Sequence, residues 1–301
     1  MLREQAAARR ATSAPTPGPE IESVEDLSIQ GPRGAIGARL YTPRDRPAGI
    51  IVYLHGGGWV IGDLNSADAV ARVLADASGW AVLNVDYRLA PEHSFPAPLD
   101  DAWAALGWAA ERFALPVMVA GDSAGANLAT ACALRACEAG APELCGQILF
   151  YPVTDHDFDT ASYRRSETEG YSLTRRDMRW FWDHYATPEQ RLHPQASPLR
   201  ARDLAGMPPT FLVIAGYDPL HDEGLAYAER LRGAGVPVEL RRYESMSHGF
   251  ASMIGVIPQA EQVLREAGAW TAASSGASDA IHRPALSPAG ATGEECHVRS
   301  E

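Results

Sequence analysis

Val117-Met118-Val119-Ala120-Gly121-Asp122-Ser123-Ala124-Gly125 passes from an unbroken apolar run into a serine set between glycines, and a helical pattern, Ala124–Ala139, starts directly behind it. Consecutive apolar residues suit a strand buried on both faces of a parallel sheet, because both of its sides meet other layers. Working outward, Ile50-Ile51-Val52-Tyr53-Leu54, Ala81-Val82-Leu83-Asn84-Val85, Ile148-Leu149-Phe150 and Phe211-Leu212-Val213-Ile214-Ala215 read the same way. Val238-Glu239-Leu240-Arg241-Arg242-Tyr243 alternates, as an edge strand with one wet face should. Helical stretches near Ala67–Ala77, Leu99–Phe113, Gly224–Gly233 and Gln259–Ala273 lie between these runs. Segments around Ser28–Gln30 and Ala38–Tyr41 add antiparallel strands at the opposite edge. The expectation is an α/β fold: a mostly parallel eight-stranded sheet, flanked by helices, with right-handed crossovers.

One insertion breaks this rhythm. About sixty residues separate Phe150 from the next strand at Thr210, and they carry the aromatic patch Asp177-Met178-Arg179-Trp180-Phe181-Trp182-Asp183-His184-Tyr185. A segment this long outside the sheet is expected to be a helical cap, placed at about 153–207. Residues 1–24 read as a flexible lead-in and part of the cap, 25–273 as the α/β domain, and 274–301, rich in small and polar residues, as a disordered tail.

Composition removes several function classes. The net charge is −12, with 38 acidic against 26 basic side chains and no basic stripe, which argues against nucleic acid and anionic membranes as partners. No run of about 18 apolar residues is present, so no membrane span is expected. The N-terminus has no apolar core behind its arginines, and the default location is cytoplasmic, with a transit peptide the compositional alternative. Cys132, Cys137, Cys145 and Cys296 form neither a CxxC pair nor a metal-ligand cluster. They read as reduced, buried thiols, with no metal and no organic cofactor.

Gly121–Gly125 fits G-x-S-x-G at a strand-to-helix turn, where a serine hydroxyl is held exposed on a strained backbone and flanking glycines relieve clashes. The alternative is a glycine-rich turn with a capping serine. A nucleophilic serine on such a sheet needs an acid and then a histidine, in that chain order. Asp218 follows the run ending at Ala215, and His248 follows the late alternating strand. His221 and Asp222 sit where a helix should start and read as capping or structural groups. Upstream, His55-Gly56-Gly57-Gly58-Trp59 follows the strand Ile50–Leu54, where three glycines let backbone N–H groups approach a developing oxyanion.

Together with Asp86-Tyr87-Arg88-Leu89-Ala90-Pro91-Glu92-His93-Ser94-Phe95-Pro96-Ala97, Asp218-Pro219-Leu220-His221-Asp222-Glu223-Gly224 and His248-Gly249-Phe250, these motifs resemble the hormone-sensitive-lipase-like family of α/β-hydrolase carboxylesterases, in its bacterial branch. The resemblance spans roughly residues 25–272. It implies a serine esterase for small esters of short to medium acyl chain. Ser123, Asp218 and His248 match its triad, and the N–H groups of Gly57, Gly58 and Ala124 its oxyanion hole. His55, Asp122 and Glu92 match its loop-bracing groups, and Val238–Tyr243 a homodimer surface. An amidase or aryl-formamidase with the same triad is the alternative, and a non-catalytic ligand receptor a more distant one. Trp180, Trp182, Tyr185, Phe158 and Tyr171 are candidates either for an acyl pocket or for the core of the cap.

Overall fold

The computed structural model describes residues 18–281, so the readings for the first seventeen and last twenty residues lie outside it. Eight strands form one sheet: β1 (Ser23–Gly31), β2 (Gly34–Thr42), β3 (Ile50–Leu54), β4 (Ala81–Asp86), β5 (Val117–Asp122), β6 (Gly146–Phe150), β7 (Thr210–Tyr217) and β8 (Val238–Ser247). Their order is β1-β2-β4-β3-β5-β6-β7-β8. β1 and β2 are antiparallel at one edge, and every pairing from β4 to β8 is parallel.

The uniformly apolar runs are the central strands: β3 and β6 are buried at every position. Alternation within them divides two cores. Ile50, Val52 and Leu54 face one layer with α2 (Ala97–Phe113), α3 (Ala124–Ala139) and α6 (His221–Gly233), while Ile51 and Tyr53 face α1 (Asp68–Ser78) and α7 (Pro258–Ile281). Each fully buried large aliphatic side chain contributes about 1.5–3 kcal/mol, so both faces hold the sheet. α7 runs beyond Ala273, to Ile281, into the stretch read from composition as tail. Among the described cysteines, Cys132 is buried, Cys145 half-buried and Cys137 exposed, and Cys296 lies outside the described residues. The expectation of uniformly buried thiols therefore fails at Cys137, which the turn of α3 places on the outer side of the helix.

The insertion between β6 and β7 carries α4 (Ala161–Thr168) and α5 (Arg175–Tyr185). Thr160 caps α4 by accepting the Tyr163 N–H, and Thr174 with Asp177 forms a capping box at the start of α5. Met178, Trp182 and Tyr185, at i, i+4 and i+7, are the buried face of α5. Tyr185 stacks on Trp59 at 4.0 Å between ring centroids, and Trp182 lies 4.8 Å from the same indole.

Candidate active site

Three strands place residues at the carboxyl ends of the parallel part of the sheet. Ser123 directly follows β5, Asp218 directly follows β7 and His248 directly follows β8. Ser123 adopts φ 54° and ψ −119°, a conformation that costs a non-glycine residue about 1–3 kcal/mol and persists only where the surroundings impose it. The flanking glycines do the imposing. A Cβ on Gly125 would lie 1.9 Å from the Leu54 carbonyl oxygen, and one on Gly121 would lie 2.4 Å from the Gly125 carbonyl carbon. β3, β5 and α3 thus approach more closely than any side chain permits.

Ser123 occupies the N-cap position of α3 but makes no side-chain capping bond. Its Oγ lies 2.9 Å from His248 Nε2 instead, and His248 Nδ1 lies 2.7 Å from Asp218 Oδ2. The capping-serine reading is thereby excluded. Asp218 is buried, and its Oδ1 accepts the Leu220 N–H at 2.8 Å, which fixes the carboxylate plane. With Nδ1–H donating to Asp218, the lone pair of Nε2 faces the serine hydroxyl.

A cavity of about 460 Å³ opens on Ser123 and His248 and is also lined by Gly57 and Gly58. Both glycines have positive φ, 122° and 59°. A Cβ on Gly57 would meet the Ile61 carbonyl oxygen at 2.1 Å, and one on Gly58 would meet the Phe181 ring at 2.1 Å. Among the described residues, the N–H groups of Gly57, Gly58 and Ala124 donate to no protein acceptor.

Behind this loop, Asp122 Oδ1 accepts from Tyr53 Oη and from the Gly56 N–H, each at 2.8 Å. Burial pushes the Asp122 carboxyl up, against the pull of these two bonds. His55 is buried, stacks on Tyr87 at 4.4 Å, and places Nδ1 2.8 Å from the Gly56 carbonyl. Burial holds its imidazole below the usual range, so it is neutral and donates from Nδ1.

The segment Asp86–Ala97, whose chemistry spacing alone does not reveal, ties this loop to α5 of the insertion. Tyr87 Oη donates to the His55 carbonyl at 2.6 Å, Ala90 N to Trp59 O at 2.8 Å, and Phe95 N to Tyr185 O at 2.7 Å. Arg88 reaches both oxygens of Asp101, each at 2.7 Å, and its own N–H adds a third bond at 3.0 Å. Glu92 is exposed on the same turn.

The insertion between β6 and β7 lines the cavity with Val153, Leu173, Met178 and Phe181. The five aromatics offered as pocket candidates are not among the lining residues. Trp182 and Tyr185 face the Trp59 core, and Phe158 packs edge-on against Tyr163. Trp180 lies tilted against His184, and Tyr171 meets Tyr217 edge-on. Phe181 lies just off the buried stripe of α5, toward Gly58, a placement that sequence periodicity does not resolve from Trp182. Among the described residues, no group of three or more His, Cys, Asp or Glu side chains is placed to hold a metal ion, and no helix is long and apolar enough to cross a membrane.

A family model described as the alpha/beta hydrolase fold matches residues 51–252. The chain is 44% identical over 259 residues to carboxylic ester hydrolase LipN of Mycobacterium tuberculosis, covering 81% of this chain and 69% of that protein. It is 39% identical over 260 residues to an ethyl acetate hydrolase of Pseudomonas putida, covering 81% of each. A hyperthermophilic esterase from the archaeon Pyrobaculum calidifontis superposes with a TM-score of 0.81 at 39% identity, over 84% of this chain and 86% of that one. The elbow, the glycine loop and these relatives lead to one assignment: the chain belongs to the hormone-sensitive-lipase-like carboxylesterases of the α/β-hydrolase fold and is a carboxylic-ester hydrolase.

Proposed function

We propose that the chain hydrolyses small esters of short to medium acyl chain through a covalent acyl-enzyme on Ser123. The observation that carries this reading is the hydrogen-bonded line from Ser123 Oγ to His248 Nε2 at 2.9 Å and from His248 Nδ1 to Asp218 Oδ2 at 2.7 Å. In the first step Oγ attacks the ester carbonyl carbon as His248 takes its proton, and Asp218 stabilises the imidazolium. The carbonyl oxygen becomes an oxyanion that accepts from the N–H groups of Gly57, Gly58 and Ala124, donors held in place before reaction. Collapse breaks the bond to the alkoxy oxygen, which leaves as the alcohol with the proton from His248. Water, deprotonated by the same imidazole, then attacks the acyl-enzyme. The acid departs and Ser123 regains its hydrogen.

The short-chain preference rests on the modest cavity, about 460 Å³, closed on one side by Phe181, and on the similarity to an ethyl acetate hydrolase. The insertion at about 153–207 serves as the cap. Asp122 and His55 brace the glycine loop, and Glu92 supports the turn beside it. We also propose a cytoplasmic location and, from the family resemblance, a homodimer through the edge strand β8, which size-exclusion chromatography with light scattering tests.

A p-nitrophenyl ester series tests the substrate range, with acetate to hexanoate turned over fastest. A maximum at ten carbons or longer contradicts the reading, and faster turnover of matched amides would make the protein an amidase. Ser123→Ala should lower kcat by roughly 10⁴–10⁶-fold and abolish fluorophosphonate labelling while leaving the fold intact.

A further inference from the structure

The first residues of the cap insertion are bonded to the loop that carries Asp218 and to the first turn of α6 directly behind it, through groups the mechanism above does not use. The Oε1 atom of buried Glu223 accepts the N–H groups of Thr154 at 2.7 Å and Asp155 at 3.3 Å. Thr154 Oγ1 donates back to the Glu223 carbonyl at 3.0 Å. At the start of α4, the buried Ser162 donates from Oγ to the Pro219 carbonyl at 2.7 Å and from its N–H to Asp222 Oδ2 at 2.8 Å. Pro219 directly follows Asp218. On the other side, Val153 N donates to the Ser123 carbonyl at 3.3 Å, and Val153 lines the cavity.

One short stretch of cap therefore touches the nucleophile's backbone, the substrate cavity and the acid loop. We propose that Ser162 and Glu223 are positioning residues, which transmit the seating of the cap to the Asp218 carboxylate and through it to His248. The physical basis is the sensitivity of the Nδ1 to Oδ2 contact. A carboxylate displaced from 2.7 Å stabilises the imidazolium less and holds the ring less firmly. The groups facing Glu223 are the Asp155 carboxylate, held in turn by Arg200 at 2.6 Å, and the Tyr163 phenol. Burial pushes the Glu223 carboxyl well up, against the pull of the bonds from the Thr154 and Asp155 N–H groups. This inference rests on the proposed triad.

The test uses the full chain and p-nitrophenyl acetate, with kcat and KM measured across pH for Ser162→Ala, Glu223→Ala, Glu223→Gln and Asp218→Asn. Ser162→Ala and Glu223→Ala are expected to lower kcat by about 10- to 100-fold with little change in KM. The acid limb of kcat/KM should move to lower pH, because the less stabilised imidazolium loses its proton more readily. Glu223→Gln, which retains the acceptor oxygen, should restore the wild-type profile.

A cap acting only as a wall predicts a raised KM with kcat and the acid limb unmoved, and that result overturns the proposal. If Glu223→Ala does not fold, Ser162→Ala decides alone, since it removes one hydroxyl and leaves its backbone bond to Asp222. Unimpaired turnover in Asp218→Asn would defeat the triad itself. A crippled Asp218→Asn beside an unaffected Ser162→Ala would defeat only the coupling.

Discussion

Replacing Gly57 by alanine tests the oxyanion loop by moving backbone atoms alone. The added Cβ would lie 2.1 Å from the Ile61 carbonyl oxygen and 2.7 Å from its carbon. These are main-chain atoms that cannot swing aside, and the Ile61 N–H is itself bonded to the Gly57 carbonyl at 3.0 Å. Relief to an ordinary contact needs a displacement of about 1 Å, a misplacement that can cost about 10²-fold in rate. At φ 122° the new side chain also carries about 1–3 kcal/mol of backbone strain. Loss of one oxyanion donor costs about 10²–10³-fold in kcat, or about 2.7–4 kcal/mol. The two neighbouring donors move together and are not additive, so the expected loss is about 10²–10⁴-fold. Gly79→Ala is the control. It shares the positive φ, 67°, but its Cβ would meet nothing within 4 Å, so it lowers the melting temperature and leaves kcat intact. Initial rates with p-nitrophenyl acetate and thermal unfolding of both variants complete the assay. A folded Gly57→Ala protein with kcat within about threefold of wild type would refute the assignment of this loop to the oxyanion.

Other outcomes follow from the same geometry. Asp218→Asn should lower kcat by about 10⁴-fold without unfolding, since the amide favours the wrong tautomer of His248; circular dichroism alongside rates checks this. Phe181→Ala should open the cavity above Gly58 and move the optimum of the ester series to longer chains. Its stability loss should be less than the about 3–5 kcal/mol of a fully buried phenylalanine, because Phe181 is only half-buried; an unchanged chain-length profile counts against its role. The buried Glu223 carboxyl is raised, so above the ordinary carboxylate range the native state holds a proton that the unfolded chain releases. Its contribution to stability is complete below that range and is lost as pH rises through the raised value. Glu223→Gln should therefore gain stability relative to wild type from acid to neutral pH, and parallel melting curves would exclude this.

The strand runs and the elbow were legible because their causes are local. β3 and the Ile148–Phe150 stretch of β6 are apolar throughout since both faces are covered, and Gly121 and Gly125 flank a serine at a close approach that side chains there would not permit. Chain order together with position just past a strand selected Asp218 and His248 from the carboxylates and histidines downstream. The insertion between β6 and β7 was legible as a length, but not as a surface. Phe181 and Trp182 are adjacent and both aromatic, and only the docking of α5 sends one to the cavity and the other to the Trp59 core.

The sequence by itself determined the strand–turn–helix units and the identities of the groups at their ends, because buried periodicity and glycine requirements are properties of short segments. Only the tertiary structure decided the contacts between segments far apart in the chain. Examples are the bond of Tyr53 to Asp122 and the attachment of Ser162 to Pro219 and of Thr154 to Glu223 of α6. Those hydrogen bonds depend on how layers stack, and no pattern within either segment encodes a partner met only after the sheet has assembled.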